Sequence, residues 1–153
     1  MSSSKSLIDF VTFGRELQGG GWHDPEKLKA RLGDSDQYRW MGVDESAWFS
    51  FAGGAEKRVR IECSIVNIVH PSVLPPLRVL IDDVERPYTL QIGTHPPFIL
   101  TVTGERSART VQSRFTLQTP VRKSAADVGA VADRRPLSLA VLEARVYAAG
   151  AEE

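Results

Sequence analysis

The sequence predicts an all-β protein, an antiparallel β-sandwich or jelly roll of about eight strands. Three observations carry this. Short segments of alternating apolar and polar residues recur at roughly 8–12-residue spacing, the signature of half-buried strands. Glycine, proline and aspartate separate those segments, as turns require. Helical periodicity is confined to one short stretch. At 153 residues the chain is long enough for one domain with a core and too short for two comfortable ones. Residues 1–153 are therefore read as a single domain, with 1–5 and 148–153 expected to fray.

In order along the chain, Leu7 to Phe13 is rich in branched and aromatic residues and stops at Gly14, which suits a first strand. Glycines 19, 20 and 21 precede Trp22. Asp24-Pro25-Glu26 then has the grammar of a helix start, with a capping acid, proline at the first helical position and an acid in the first turn. Leu28 and Leu32 share a face at i,i+4 and Gly33 can end the segment, so one short helix is expected over residues 25–32. Strand signals resume at Tyr38. Ala47, Phe49 and Phe51 alternate before Gly53-Gly54.

Arg58 to Val69 is a longer strand whose apolar set changes parity, from Val59, Ile61, Cys63 and Ile65 to Val66 and Ile68. Such a change of phase predicts a β-bulge. Leu77, Val79 and Ile81 alternate up to a turn at Asp82-Asp83. Tyr88 to Ile92 and Phe98 to Val102 follow. Val111, Ser113, Phe115 and Leu117, interleaved with Gln112, Arg114, Thr116 and Gln118, give the cleanest half-buried pattern. Residues 124–136 read as a long loop with one helical turn near Ala125-Ala126-Asp127, and Leu137 to Tyr147 as the last strand.

Charge excludes little but is informative. Lysine plus arginine equals aspartate plus glutamate at 19 each, so no global field favours nucleic acid or an anionic membrane. No stretch approaches the roughly 18 apolar residues of a membrane span, and no secretory leader is recognisable in Met1 to Phe13. A cytoplasmic protein is the expectation. The lone cysteine, Cys63, sits in an apolar alternation and reads as a small core residue.

Motifs that would announce catalysis are missing from the sequence: no GxSxG, phosphate loop, CxxC or HExxH occurs. His23, His70 and His95 are far apart, so neither a metal nor a cofactor is expected. What stands out is the density of chemistry in Trp22-His23-Asp24-Pro25-Glu26, answered by Tyr38-Arg39-Trp40-Met41-Gly42. An indole face packs against sugar C–H groups while His23, Glu26 and Arg39 supply hydrogen bonds to hydroxyls. The competing reading is that Trp22 and Trp40 plug one end of the sandwich, with Arg39 and Glu26 paired to fix the loop, since large aromatics are more often core than ligand platform. Asp133-Arg134-Arg135-Pro136 has the same double reading, as an anion or acidic-sugar contact or as a loop lock.

Taken together, Gly21-Trp22-His23-Asp24-Pro25-Glu26, Arg39-Trp40-Met41-Gly42, the strand ending Leu77-Arg78-Val79-Leu80-Ile81-Asp82, and Asp133 to Val141 resemble the β-sandwich modules appended to bacterial glycosyltransferases. The resemblance departs from that pattern in the insertion from Lys27 to Gln37, and no catalytic domain is read within these 153 residues. It implies a jelly-roll-like, sugar-binding, non-catalytic accessory domain in polysaccharide or glycoconjugate biosynthesis, with a glycan ligand and a glycosyltransferase or other protein as partners.

The expected ligand-binding residues are thus Trp22, His23, Glu26, Arg39, Trp40, Asp133 and Arg134, with Trp22 and Trp40 as platforms. Two rivals stand beside this reading. One is a protein-docking module without sugar binding, which requires a sizeable apolar surface patch. The other is a small β-sandwich enzyme acting on sugars, which requires titratable groups converging in one pocket.

Overall fold

The structure is a computed structural model and describes residues 6–107, 112–124, 126 and 134–149. Among the described residues the chain forms twelve strands: β1 (Leu7–Thr12), β2 (Gly19–Gly20), β3 (Glu26–Lys27), β4 (Gln37–Trp40), β5 (Ser46–Ala52), β6 (Arg58–Ile68), β7 (Arg78–Ile81), β8 (Val84–Arg86), β9 (Tyr88–Gln91), β10 (Phe98–Glu105), β11 (Gln112–Gln118) and β12 (Leu139–Ala148). Eight of these are the segments expected from alternation; β2, β3 and β8 are short edge strands, and β4 is a short strand between β3 and β12.

They make two antiparallel sheets. One has seven strands in the order β3-β4-β12-β6-β10-β9, with β1 also paired to β12; the other has five, in the order β2-β5-β11-β7-β8. Period-two alternation explains the core between them. Ala47, Phe49 and Phe51 of β5, Phe115 and Leu117 of β11, and Val79 and Ile81 of β7 face Val59, Ile61, Cys63 and Ile65 of β6 and Leu100 and Val102 of β10. Phe49 stacks on Phe115 at 4.8 Å and meets Phe13 edge-on at 5.4 Å. Cys63 is wholly buried here, and burial pushes its thiol up to about 12, which leaves it unreactive.

The bulge expected from the parity change in β6 is present, and it has a partner on β12. Asn67 pairs with Ala140 while Ile65 pairs with Val141, which leaves Val66 as the extra residue. Ile65 pairs with Val141 and Ser64 with Glu143, which leaves Leu142 as a second. These shifts turn Val66, Leu142 and Glu143 away from the main core. Val66 and Leu142 join Trp40, Leu137 and Ala140 in a second apolar cluster on the outer face of the seven-stranded sheet. The Asp82-Asp83 turn is a two-residue hairpin between β7 and β8 with both residues at positive φ, 50° and 68°. Aspartate tolerates that conformation better than most residues.

Two expectations are corrected. Residues 25–32 contain no helix: β3 pairs Glu26 with Tyr38 and Lys27 with Gln37, and Leu28 N–H donates to Asp36 O at 2.8 Å. Two turns of isolated helix are marginal in water, and burial of Leu28 and Leu32 on the Trp40 cluster decides the conformation instead. Ala148 does not fray, because it pairs with Val59, and Ala149 N–H donates to Arg58 O. The helical turn expected near residues 125–127 falls largely outside the described residues.

Candidate functional site

The expected Trp22–Trp40 site is assembled, but as a structural joint. Trp40 is 7% exposed, beneath Leu28, Leu32 and Tyr38. That burial contradicts its assignment as a ligand platform: the 28–36 segment covers the face a ligand would need. Trp22 is half-buried; its ring meets Phe13 edge-on at 5.0 Å and its Nε1–H donates to Trp48 O at 2.8 Å. The indole thus joins the edge of the core, with its polar end satisfied by the chain.

Arg39 points its guanidinium at backbone carbonyls. Nη2 donates to Gly14 O at 2.8 Å, Nε to Phe13 O at 3.2 Å, and Nη1 to His23 O at 3.3 Å. It therefore staples the end of β1 to the Trp22 segment and is not paired with Glu26. Glu26 instead accepts from Arg135 Nη1 at 3.0 Å and from the Tyr38 hydroxyl at 3.3 Å. Burial, followed by the Glu26 charge and hydrogen bond, raises the Tyr38 phenol above its ordinary range. His23 Nε2 lies 2.7 Å from Pro136 O, and since a carbonyl only accepts, that nitrogen carries the proton. The Asp133-Arg134-Arg135-Pro136 segment does come against the Trp22-to-Glu26 segment, but through Arg135 and Pro136. Arg134 is exposed beside them, and Asp133 lies outside the described residues.

A second ionic cluster follows directly from the bulge in β12. Glu143, with its side chain 2% exposed, accepts from Ser35 N at 2.9 Å and from Arg145 Nη1 at 2.7 Å. Arg145 also pairs with Asp34 and lies over Phe10, 4.7 Å from its centroid. Burial pushes the Glu143 carboxyl up, but hydrogen bonds from Arg145 and Ser35 outweigh it and hold the group below its usual range. A side chain at Gly33 would stand 2.8 Å from this carboxylate, so the loop closes on it only with glycine there. The cluster clamps the 28–36 segment onto the sheet.

The opposite face of the sandwich is different. On the five-stranded sheet, the outward register of β5 and β11 presents Trp48, Ser50, Gln112, Arg114 and Gln118. Trp48 is half-buried, and the Arg114 guanidinium lies over its ring, 3.9 Å from the centroid. The indole leans across β2, where a Cβ on Gly20 would stand 2.8 Å from its Nε1. Glycine at that position is what lets the ring lie over the edge strand.

Beside this pair is a shallow open depression lined by Ser50, Asp82, Asp83, Ser107 and Gln112 together with Arg114. Its floor is stiffened by hydrogen bonds. Asp82 accepts from Ser107 N, the Ser113 hydroxyl and Arg114 N, each at 2.9–3.0 Å. Buried Arg106 donates to Glu56 O, Gly54 O and the Ser113 hydroxyl. The turn, the end of β10 and the start of β11 are thereby held as one unit.

Trp48 and Arg114 were not singled out from the sequence as site residues. The signal that finds them is parity: with Ala47, Phe49 and Phe51 inward, Trp48 must point outward, and an outward tryptophan on a strand is unusual enough to mark a surface. Among the described residues, no three histidine, cysteine, aspartate or glutamate side chains are placed to hold a metal ion. Nor is any helix long and apolar enough to cross a membrane. No family model matches the sequence, and no match to a curated protein is found.

Proposed function

We propose that this protein is a non-catalytic carbohydrate-binding module, and that its ligand lies on the outer face of the five-stranded sheet. The carrying observation is the Trp48–Arg114 pair: a half-open indole with a guanidinium stacked on it, next to a depression lined by hydroxyl, amide and carboxylate groups. Sugar recognition draws on such fixed donors and acceptors set around a rigid aromatic group. The motif resemblance to glycosyltransferase-appended modules supports a place beside enzymes that build polysaccharide or glycoconjugates, in the cytoplasm of a bacterium. Trp40 has no part in the contact, and Trp22 supports it only through its hydrogen bond to Trp48 O.

The docking alternative asks for a contiguous apolar patch. Among the described residues, the exposed large apolar side chains are Leu7, Phe10, Val43, Val84 and Ile92, spread over four segments. The enzymatic alternative asks for converging titratable groups, and the shifted pair Glu143–Arg145 is engaged in clamping a loop.

A glycan-array screen of the wild type beside Trp48→Ala and Trp40→Ala tests the proposal. Selective binding that is lost in a folded Trp48→Ala protein supports it. Selective binding that survives Trp48→Ala would move the site elsewhere, and a blank array with folded wild-type protein would sink the carbohydrate reading.

A further inference from the structure

We propose that the ligand of this face is an acidic glycan, one whose sugar carboxylate is received by Arg114. The inference rests on the carbohydrate-binding reading above and narrows its ligand class.

The first argument compares arginines. Arg39 and Arg106 direct their guanidiniums at backbone carbonyls. Arg135 is paired with Glu26, Arg145 with Glu143 and Asp34, Arg78 with Glu85, and Arg60 with Glu62. In each case an oxygen of the chain takes the fork. Arg114 is held differently: the Trp48 ring positions its guanidinium, and among the described residues no oxygen of the chain accepts from that guanidinium. Stacking works through the face of the guanidinium, whereas its N–H groups point outward in the plane. Among the described residues its donors are therefore not taken up by the chain. A carboxylate, with two oxygens in a plane, is the group that such a fork meets bidentately.

The second argument concerns the ring. A neutral sugar would stack a C–H face on an open indole. Here the guanidinium lies over the ring, so recognition runs through donors at its rim: the Arg114 N–H groups and the Ser50 hydroxyl. Asp82, which lines the same depression as Arg114, accepts from Ser107 N, the Ser113 hydroxyl and the Arg114 backbone N–H. Asp83, in the same lining, is a carboxylate that accepts from sugar hydroxyls and repels an acid group.

Calorimetric titration of the whole chain with oligosaccharides bearing galacturonate, glucuronate or sialic acid, each beside its carboxyl-reduced neutral counterpart, tests this. At least one acidic member should bind about tenfold or more tighter than its reduced form. Arg114→Gln should abolish that preference while melting with the wild type, and Arg15→Gln, which removes an exposed charge outside the depression, should keep it. Equal or better binding of the reduced forms overturns the inference and leaves the carbohydrate reading intact. Binding to no acidic member, in a protein that does bind neutral glycans on an array, does the same. An equal loss in Arg15→Gln marks general polyanion adhesion and also overturns it.

Discussion

Trp40 and Trp48 stand on opposite outer faces of the sandwich, each next to an arginine, and the chain treats the two pairs in opposite ways. Over Trp40 the 28–36 segment closes, clamped by Glu143, and the neighbouring Arg39 gives its donors to the carbonyls of Phe13, Gly14 and His23. Over Trp48 no described segment closes; the ring carries the guanidinium of Arg114. Residue type does not separate a joint from a binding face. What separates them is whether the chain itself supplies the cover and the acceptors. A covered indole and an arginine facing carbonyls contribute to stability, whereas a half-buried indole under a guanidinium that no described oxygen takes up is the pair on which the proposed ligand contact rests.

The contrast is broken most directly by removing each tryptophan. Trp40→Ala should cost about 3–5 kcal/mol, as loss of a large buried aromatic does. Urea unfolding with an unchanged m-value measures it. An effect below about 1 kcal/mol would mean that the loop does not bury this ring as described. Trp48→Ala should cost about 1 kcal/mol or less, because a half-exposed ring and a surface cation–π contact contribute little to folding.

The clamp itself is the next target. Glu143→Gln should destabilise by about 2–3 kcal/mol at pH 7, less than the ~3–5 of a fully buried pair because Arg145 reaches water. The sign with pH follows from the direction of the shift. The carboxyl lies below its ordinary 4.5 in the folded protein, so its contribution is complete above pH 4.5 and is lost as the pH falls below that value. Wild-type stability should therefore fall through that acid window, and the Glu143→Gln protein should show a flatter acid limb. Identical acid limbs would show that the clamp contributes nothing through ionisation.

How far this was legible in the sequence depends on range. Alternation placed the eight principal strands because period two is a local signal, and the phase change at Ile65-Val66 announced the bulge seen opposite β12. The helix over 25–32 failed because Asp24-Pro25-Glu26 is good local grammar overruled by a distant partner: Leu28 and Leu32 are buried by Trp40 and Leu142. The site was misread for a related reason. Trp22, Glu26 and Arg39 are neighbours in sequence, but only register across strands shows that each is satisfied elsewhere: Trp22 by Trp48 O, Glu26 by Arg135 and Tyr38, and Arg39 by the carbonyls of Phe13, Gly14 and His23. Glu26 found Arg135, and no local pattern distinguishes it from Arg134. Trp48 was hidden among inward-facing phenylalanines, although its parity was already on the page.

A smaller effect sharpens the comparison from below. Gly20→Val places a branched side chain where the Trp48 indole lies, 2.8 Å from Nε1 at the first carbon. The ring can swing away, so stability should change by only about 1 kcal/mol or less, within the range of surface substitutions. The Arg114 guanidinium would lose the surface that orients it. Glycan affinity should therefore fall although no donor has been removed, because an unheld arginine must be ordered on binding at a cost of about 0.5–1.5 kcal/mol. The matching change on the covered side, Gly33→Ala, should act oppositely: it strikes the Glu143 carboxylate, lowers stability and leaves glycan affinity alone. If Gly20→Val instead unfolds the protein and Gly33→Ala weakens the ligand, the assignment of the two faces is reversed.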